Sequence, residues 1–184
     1  MGRCAAQSSG TVSSSDAAPL VLLATRIRDE IEHLNTVANR ALTAWPDAQT
    51  SSPSGIAHLD SVALHLHGLY SGIERLLELI SRHIDGRPPG GGAWHRDLLL
   101  QMSQEVPGVR PAVLGPNRID GLDDLRRLRH LVRHVYATQL DRERMQPLLE
   151  TVPTLWQEVR ADLLAFAAFL DDLARRREAE ALGL

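Results

Sequence analysis

Lysine is absent from this 184-residue chain, and all 20 of its basic residues are arginine. Only the planar guanidinium can hold a phosphate through two parallel hydrogen bonds. A base-composition bias in the coding DNA would replace lysine in the same way throughout, and many of these arginines stand beside acids, so the count alone has no functional weight. Cysteine is nearly absent as well: Cys4 is single and sits in a Ser/Ala/Gly-rich stretch. That excludes an internal disulfide framework and a cysteine-rich zinc site, and it suits a reducing cytoplasm. No run approaches the roughly 18 to 20 apolar residues of a membrane span. The best candidate, Leu163 to Leu170, is flanked by Asp162 and Asp171. The apolar stretch Ala17 to Ala24 breaks at Arg26 and is too weak for a secretory signal. No segment alternates with period two and few β-branched residues cluster, which argues against a sheet. A net charge of −3 and a pI near 6.2 mean that the whole molecule is not a polyanion binder, so any nucleic-acid role must be local.

What is present is a helical pattern. With 43% hydrophobic and 23% charged residues the composition is that of a globular protein, and the length predicts one domain. Residues 1 to 17 are small and polar and predict a disordered leader; residues 18 to 184 form the domain. From Pro19, Ile27, Ile31, Leu34, Ala38, Ala41 and Trp45 fall on one helical face, with Pro46 expected to end it. After a Ser/Pro/Gly linker at Thr50 to Gly55, a stripe from Leu59 to Ile84 predicts a second helix, stopped at Gly86 and the Pro/Gly run behind it. A short amphipathic helix is expected from Trp94 to Val106, and a fourth from about Asp120 to Tyr136 with acids at its positive end. Asp141 can cap a last, long helix, which Pro153 should kink or restart and whose C-terminus Arg175, Arg176 and Arg177 should neutralise. The fold expected is an all-α antiparallel bundle of four or five helices.

The fourth helix is the unusual one. At 100° per residue, Leu125, Leu128, Leu131, Val132 and Val135 share an arc that must face the core. Arg126, Arg127, Arg129, His130, Arg133 and His134 share the opposite arc, with only Asp123 close in sequence, so a strongly positive solvent face is expected. Such a face suits a phosphodiester, since arginine stabilises charge on phosphate oxygens and an imidazole exchanges protons near neutral pH. It is equally what an ordinary solvated helix face looks like.

Residues Arg129 to Tyr136 read R-x4-H-x-Y, with a polar His130 directly after the arginine. This spacing resembles the signature of HepT-like toxins, helical-bundle ribonucleases of the HEPN superfamily. The likeness extends over about residues 20 to 175: a long two-helix hairpin, the segment Trp94-His95-Arg96-Asp97-Leu98-Leu99, the motif helix and a long final helix. The resemblance implies metal-independent RNA cleavage without a cofactor. His134 would be the general acid/base, Arg129 the stabiliser of the phosphate, His130 a positioning or polarising group, and Arg126 and Arg133 further phosphate contacts. Attack by the neighbouring 2′-hydroxyl requires RNA rather than DNA. Arg129 and His134 diverge by about 140° on a straight helix. The expectation is therefore a homodimer in which two copies of the fourth helix line one cleft. Tyr136 has two readings, a boundary tyrosine or, by the resemblance, the residue to which a partner minimal nucleotidyltransferase antitoxin attaches AMP. The protein would then act in the cytoplasm, away from any membrane. The alternative is a nucleotidyltransferase-associated bundle that binds a nucleotide or a partner and cleaves nothing; a third is a purely structural dimerisation bundle.

Other candidates carry less. His58, His65 and His67 lack the carboxylates a di-iron bundle places at E-x-x-H spacing, and His65 and His67 point to different sides, so no metal is expected. His95, beside a core-anchoring Trp94, can approach the cleft only if the third helix packs on the fourth. The triglycine Gly90 to Gly92 precedes a helix, but it has no strand before it and no Lys-Ser/Thr after it, and reads as a hinge loop.

Overall fold

A computed structural model describes residues 17 to 134 and 140 to 183; for Arg133 and His134 it describes the backbone alone. Among the described residues there are five α-helices: α1 (Ala18–Ala48), α2 (Pro53–Ile84), α3 (Trp94–Met102), α4 (Ile119–His134) and α5 (Arg142–Leu182), with a 3-10 turn at Pro116–Arg118 leading into α4. The bundle is all-α, with one isolated bridge between Val106 and Arg110. None of these helices is long and apolar enough to cross a membrane.

The four long helices form a ring in the order α1, α2, α4, α5, each against its two neighbours, with α3 resting on α2 and α4. Cross-links give the directions. Arg142 donates to the carbonyls of Ala48 and Thr50, Trp156 Nε1 to Asn35 Oδ1 (3.1 Å), and Arg28 to Asp171, so α5 runs antiparallel to α1. Ile27, Ile31, Leu34, Leu66, Leu69, Ile73, Leu122, Leu125, Val159, Leu163 and Phe166 fill the interior. These are the stripes read from the sequence, which cannot be buried any other way than against one another. Two glycines set the closest approaches. A Cβ at Gly72 would lie 2.3 Å from Leu34 Cδ2, and one at Gly121 would lie 2.9 Å from Leu155 Cδ2.

Several helix ends differ from expectation for local reasons. α1 passes Pro46 and ends at Ala48, because a proline near a C-terminus removes one donor and Gln49 N–H still closes the last turn onto Pro46 O. α2 begins inside the expected linker, at Pro53, with Ser52 Oγ accepting from Gly55 N–H (3.1 Å). α5 is continuous through Pro147 and Pro153, neither restarting nor ending there; its long buried stripe outweighs the backbone hydrogen bonds lost. Asp141 caps it as expected, but it continues past Arg175, Arg176 and Arg177 to stop at Gly183, whose φ of 72° a side chain would resist.

α3 stops at Met102, short of the expected Val106, and the cause is a buried ion pair. Arg110, whose side chain is wholly inaccessible, donates from Nε and Nη2 to the two oxygens of Asp85 (2.6 and 2.8 Å). It also donates to the carbonyls of Gln101, Gln104 and Pro111, covering acceptors that the end of α3 leaves open. Gln101 Nε2 joins Asp85 and Ser81. This clamp fixes α3 and the following loop against the end of α2, and thereby sets where His95 stands. Replacing Arg110 by alanine leaves Asp85 buried without its partner, and chemical denaturation should show a loss of about 3–5 kcal/mol. A loss below 1 kcal/mol would show the clamp to be dispensable.

Candidate functional site

α4 does not present all its arginines to solvent. Leu125 and Leu128 face the core as expected, joined by Leu122, while Leu131 and Val132 are half-buried and Val135 lies outside the described residues; Arg126 and Arg129 lean off the edge of that stripe towards α2. Arg129 Nε donates to Ser71 Oγ (3.2 Å), and its Nη2 lies 3.6 Å from Glu74 Oε1. Arg126 Nε donates to Asp123 Oδ1 (2.6 Å). Arg127, on the exposed side, reaches Asp123 Oδ2 (2.8 Å) and Asp124 Oδ1 (3.0 Å). The strongly positive face is therefore corrected: Glu74, Asp123 and Asp124 stand against Arg126, Arg127 and Arg129. Two of these acids, Glu74 and Asp123, are buried. Neutralising them is what lets the guanidinium groups sit at the helix–helix seam at all.

Glu74 has a second partner. His95, near the start of α3, places Nδ1 2.5 Å from Glu74 Oε2, and its ring stacks on Trp94 with centroids 3.8 Å apart. One carboxylate thus joins an imidazole from α3 to a guanidinium from α4. Tyr70, one turn before Glu74, is fully buried. Its hydroxyl has no hydrogen bond of ordinary geometry, yet lies near enough to the Glu74 carboxylate that burial first, and that charge second, push its pKa far above the phenol range. It stays a neutral phenol.

Burial opposes the ionisation of Asp123, but the hydrogen bond from Arg126 and the charges of Arg126, Arg127 and Arg96 outweigh it and hold the carboxyl below its ordinary range. The same hydrogen bond raises Arg126 against a smaller opposing effect of burial.

Of the residues expected from the sequence, the structure brings Arg126 and Arg129 together at the α2–α4 seam and leaves His130 exposed on the other side of α4 with Arg127. Arg133 and His134 continue the helix, and their side chains lie outside the described residues, as does the whole of Tyr136. His95 does approach Arg129, because α3 rests on α4. Sequence reasoning missed Ser71, Tyr70 and Glu74. The signal was a tyrosine and a glutamate one turn apart amid Leu66, Ile73 and Leu77, placing a carboxylate on a face that has to be covered. His65 donates from Nδ1 to the carbonyl of Ser61 (2.7 Å), as an ordinary helix-edge histidine does. Among the described residues no three His, Cys, Asp or Glu side chains cluster to hold a metal.

A family model described as HepT-like protein matches residues 61–170, a span that contains Glu74, His95 and all of α4. No curated protein and no solved structure matches the chain.

Asp123 gives the seam a pH signature. A depressed carboxyl contributes stability above its unfolded pKa and loses that contribution as pH falls through its folded value. Melting temperature should drop below about pH 4, the ordinary carboxylate range. Asp123→Asn should melt lower at pH 7 but fall less steeply from pH 4 to 2.5. Parallel acid slopes for the two proteins would contradict the assignment.

Proposed function

The chain belongs to the HepT-like family, of the HEPN superfamily, and from that premise we propose that it is the toxin of a toxin–antitoxin pair and cleaves RNA without a metal. The observation that carries the reading is the state of Arg129. Inside the matched region, five residues before His134, its guanidinium is held by Ser71 and Glu74 with donors to spare. A guanidinium has five N–H donors; among the described residues one bond to a hydroxyl and one ion pair leave others for phosphate oxygens. An arginine so oriented loses little side-chain freedom when it meets a charged transition state.

In this reading the 2′-hydroxyl of the substrate attacks phosphorus, His134 moves a proton, and Arg129 stabilises the charge that gathers on the phosphoryl oxygens. His130 polarises or positions, and Arg133 steers the RNA backbone. Arg126, bound to Asp123, supports the seam and contributes less to phosphate binding than its place in the motif helix suggests. Two copies of α4 facing one another would bring the diverging Arg129 and His134 of opposite chains to one phosphate. A cognate minimal nucleotidyltransferase would silence the nuclease by AMP transfer to Tyr136, placing negative charge and bulk beside Arg129.

A second reading has one observation in its favour: the pairing of Arg126 and Arg127 with Asp123 leaves α4 less phosphate-binding potential than its sequence promised. It is a bundle that binds a nucleotide or a partner protein and cleaves nothing.

His134→Ala should abolish growth arrest on expression and reduce cleavage of total RNA by at least about 100-fold. Undiminished arrest and cleavage would remove the nuclease reading, and nucleotide or partner binding without cleavage by the wild type would install the second. Mass spectrometry after co-expression with a cognate minimal nucleotidyltransferase should find AMP on Tyr136, and an unmodified Tyr136 would remove that mode of neutralisation.

A further inference from the structure

The cleavage proposed above moves two protons in opposite senses. One leaves the 2′-hydroxyl as it attacks, the other reaches the departing 5′-oxygen, and one imidazole serves both only in turn. A second imidazole stands in the structure, linked through Glu74 to the arginine that the proposed reaction uses. His95 contacts Glu74 Oε2 through Nδ1 at 2.5 Å, and Glu74 Oε1 lies 3.6 Å from Arg129 Nη2. A carboxylate only accepts, so this contact puts a ring proton on Nδ1, and whenever the ring is neutral its lone pair is the one on Nε2. Glu74 is buried while about a quarter of the His95 side chain remains accessible. With Nδ1 turned to the buried carboxylate, Nε2 lies on the ring edge that points away from Glu74. Stacking on Trp94 holds the ring plane, and the Arg110–Asp85 clamp holds the helix on which it rides.

We infer that His95 is a catalytic residue of the same site and acts as the general base, an inference that rests on the ribonuclease reading. Nε2 of His95 takes the proton of the 2′-hydroxyl, and the 2′-oxygen forms a bond to phosphorus. The bond from phosphorus to the 5′-oxygen breaks, its electron pair goes to that oxygen, and His134 supplies the proton. The products are a 2′,3′-cyclic phosphate and a 5′-hydroxyl. His95 ends with one proton more and His134 with one fewer, and exchange with water resets both. Glu74 is a positioning residue: it selects the His95 tautomer and aims Arg129 at the same phosphate.

The test uses the full chain and two substrates, an RNA oligonucleotide and a nucleoside 3′-(4-nitrophenyl phosphate), whose leaving group needs no acid. His95→Gln keeps a donor for Glu74 and should melt within a few degrees of the wild type. Its kcat on RNA should fall at least about 100-fold. The limb of the kcat profile that rises with pH should vanish, and the defect should persist on the nitrophenyl substrate, on which His134→Ala recovers. His95→Ala should regain activity with added imidazole. A uniform fall that keeps both limbs of the pH profile would make His95 structural and overturn the inference. Cleavage abolished by His134→Ala but indifferent to His95→Gln would also overturn it while leaving the ribonuclease reading intact. A wild type that cleaves neither substrate overturns both.

Discussion

A carboxylate buried where helices meet must find a cation and hydrogen-bond donors or be driven out, and Glu74 of α2 finds the guanidinium of Arg129 from α4 and the Nδ1–H of His95 from α3. Removing that charge would leave Arg129 with Ser71 alone and His95 with only its stack on Trp94 at the seam. Removing either partner would leave the acid under-compensated in an apolar layer beside Tyr70. The three helices are thus tied by one group rather than by three independent contacts, and the geometry of the candidate site is a by-product of charge balance in the bundle.

The surroundings reinforce this. Asp123 does for Arg126 what Glu74 does for Arg129, so each inward guanidinium of α4 has an acid of its own. The second acid lies on α4 itself, feels the charge of Arg96 on α3, and absorbs positive charge of α4 that would otherwise face a polyanion. In the proposed reading the site would meet phosphate through a few placed donors, not a broad basic field, which fits a net charge of −3. Arg110 and Asp85 act at a distance from the chemistry. They stop α3 at Met102, and that stop fixes where the other end of the helix, with Trp94 and His95, meets α4.

Much of the fold was legible because buried helices need continuous apolar stripes, and stripes such as Leu59 to Ile84 have no other use. Helix ends were less so. Whether Pro46 or Pro153 breaks a helix depends on how much buried surface lies beyond it, which no local window contains. In the candidate site, the motif pointed to Arg129 by its spacing, and the family match spans that position. It could not show that Arg126 and Arg129 turn inward, because a helical wheel ranks directions about one axis and says nothing of a neighbour's acids. Glu74 sits 55 residues before Arg129 in the chain; only the packing of α4 on α2 joins them. His95 was placed conditionally on α3 reaching α4, and that contact exists.

The central claim is that Glu74 fixes His95 and Arg129 as one unit, and the ring nitrogens of His95 report on it most directly. Nitrogen-15 NMR of the histidine side chains, taken above pH 8 where unperturbed imidazoles are neutral, should find the His95 proton on Nδ1, and Glu74→Gln should weaken that preference. A His95 ring protonated on Nε2, or indifferent to Glu74→Gln, would contradict the account.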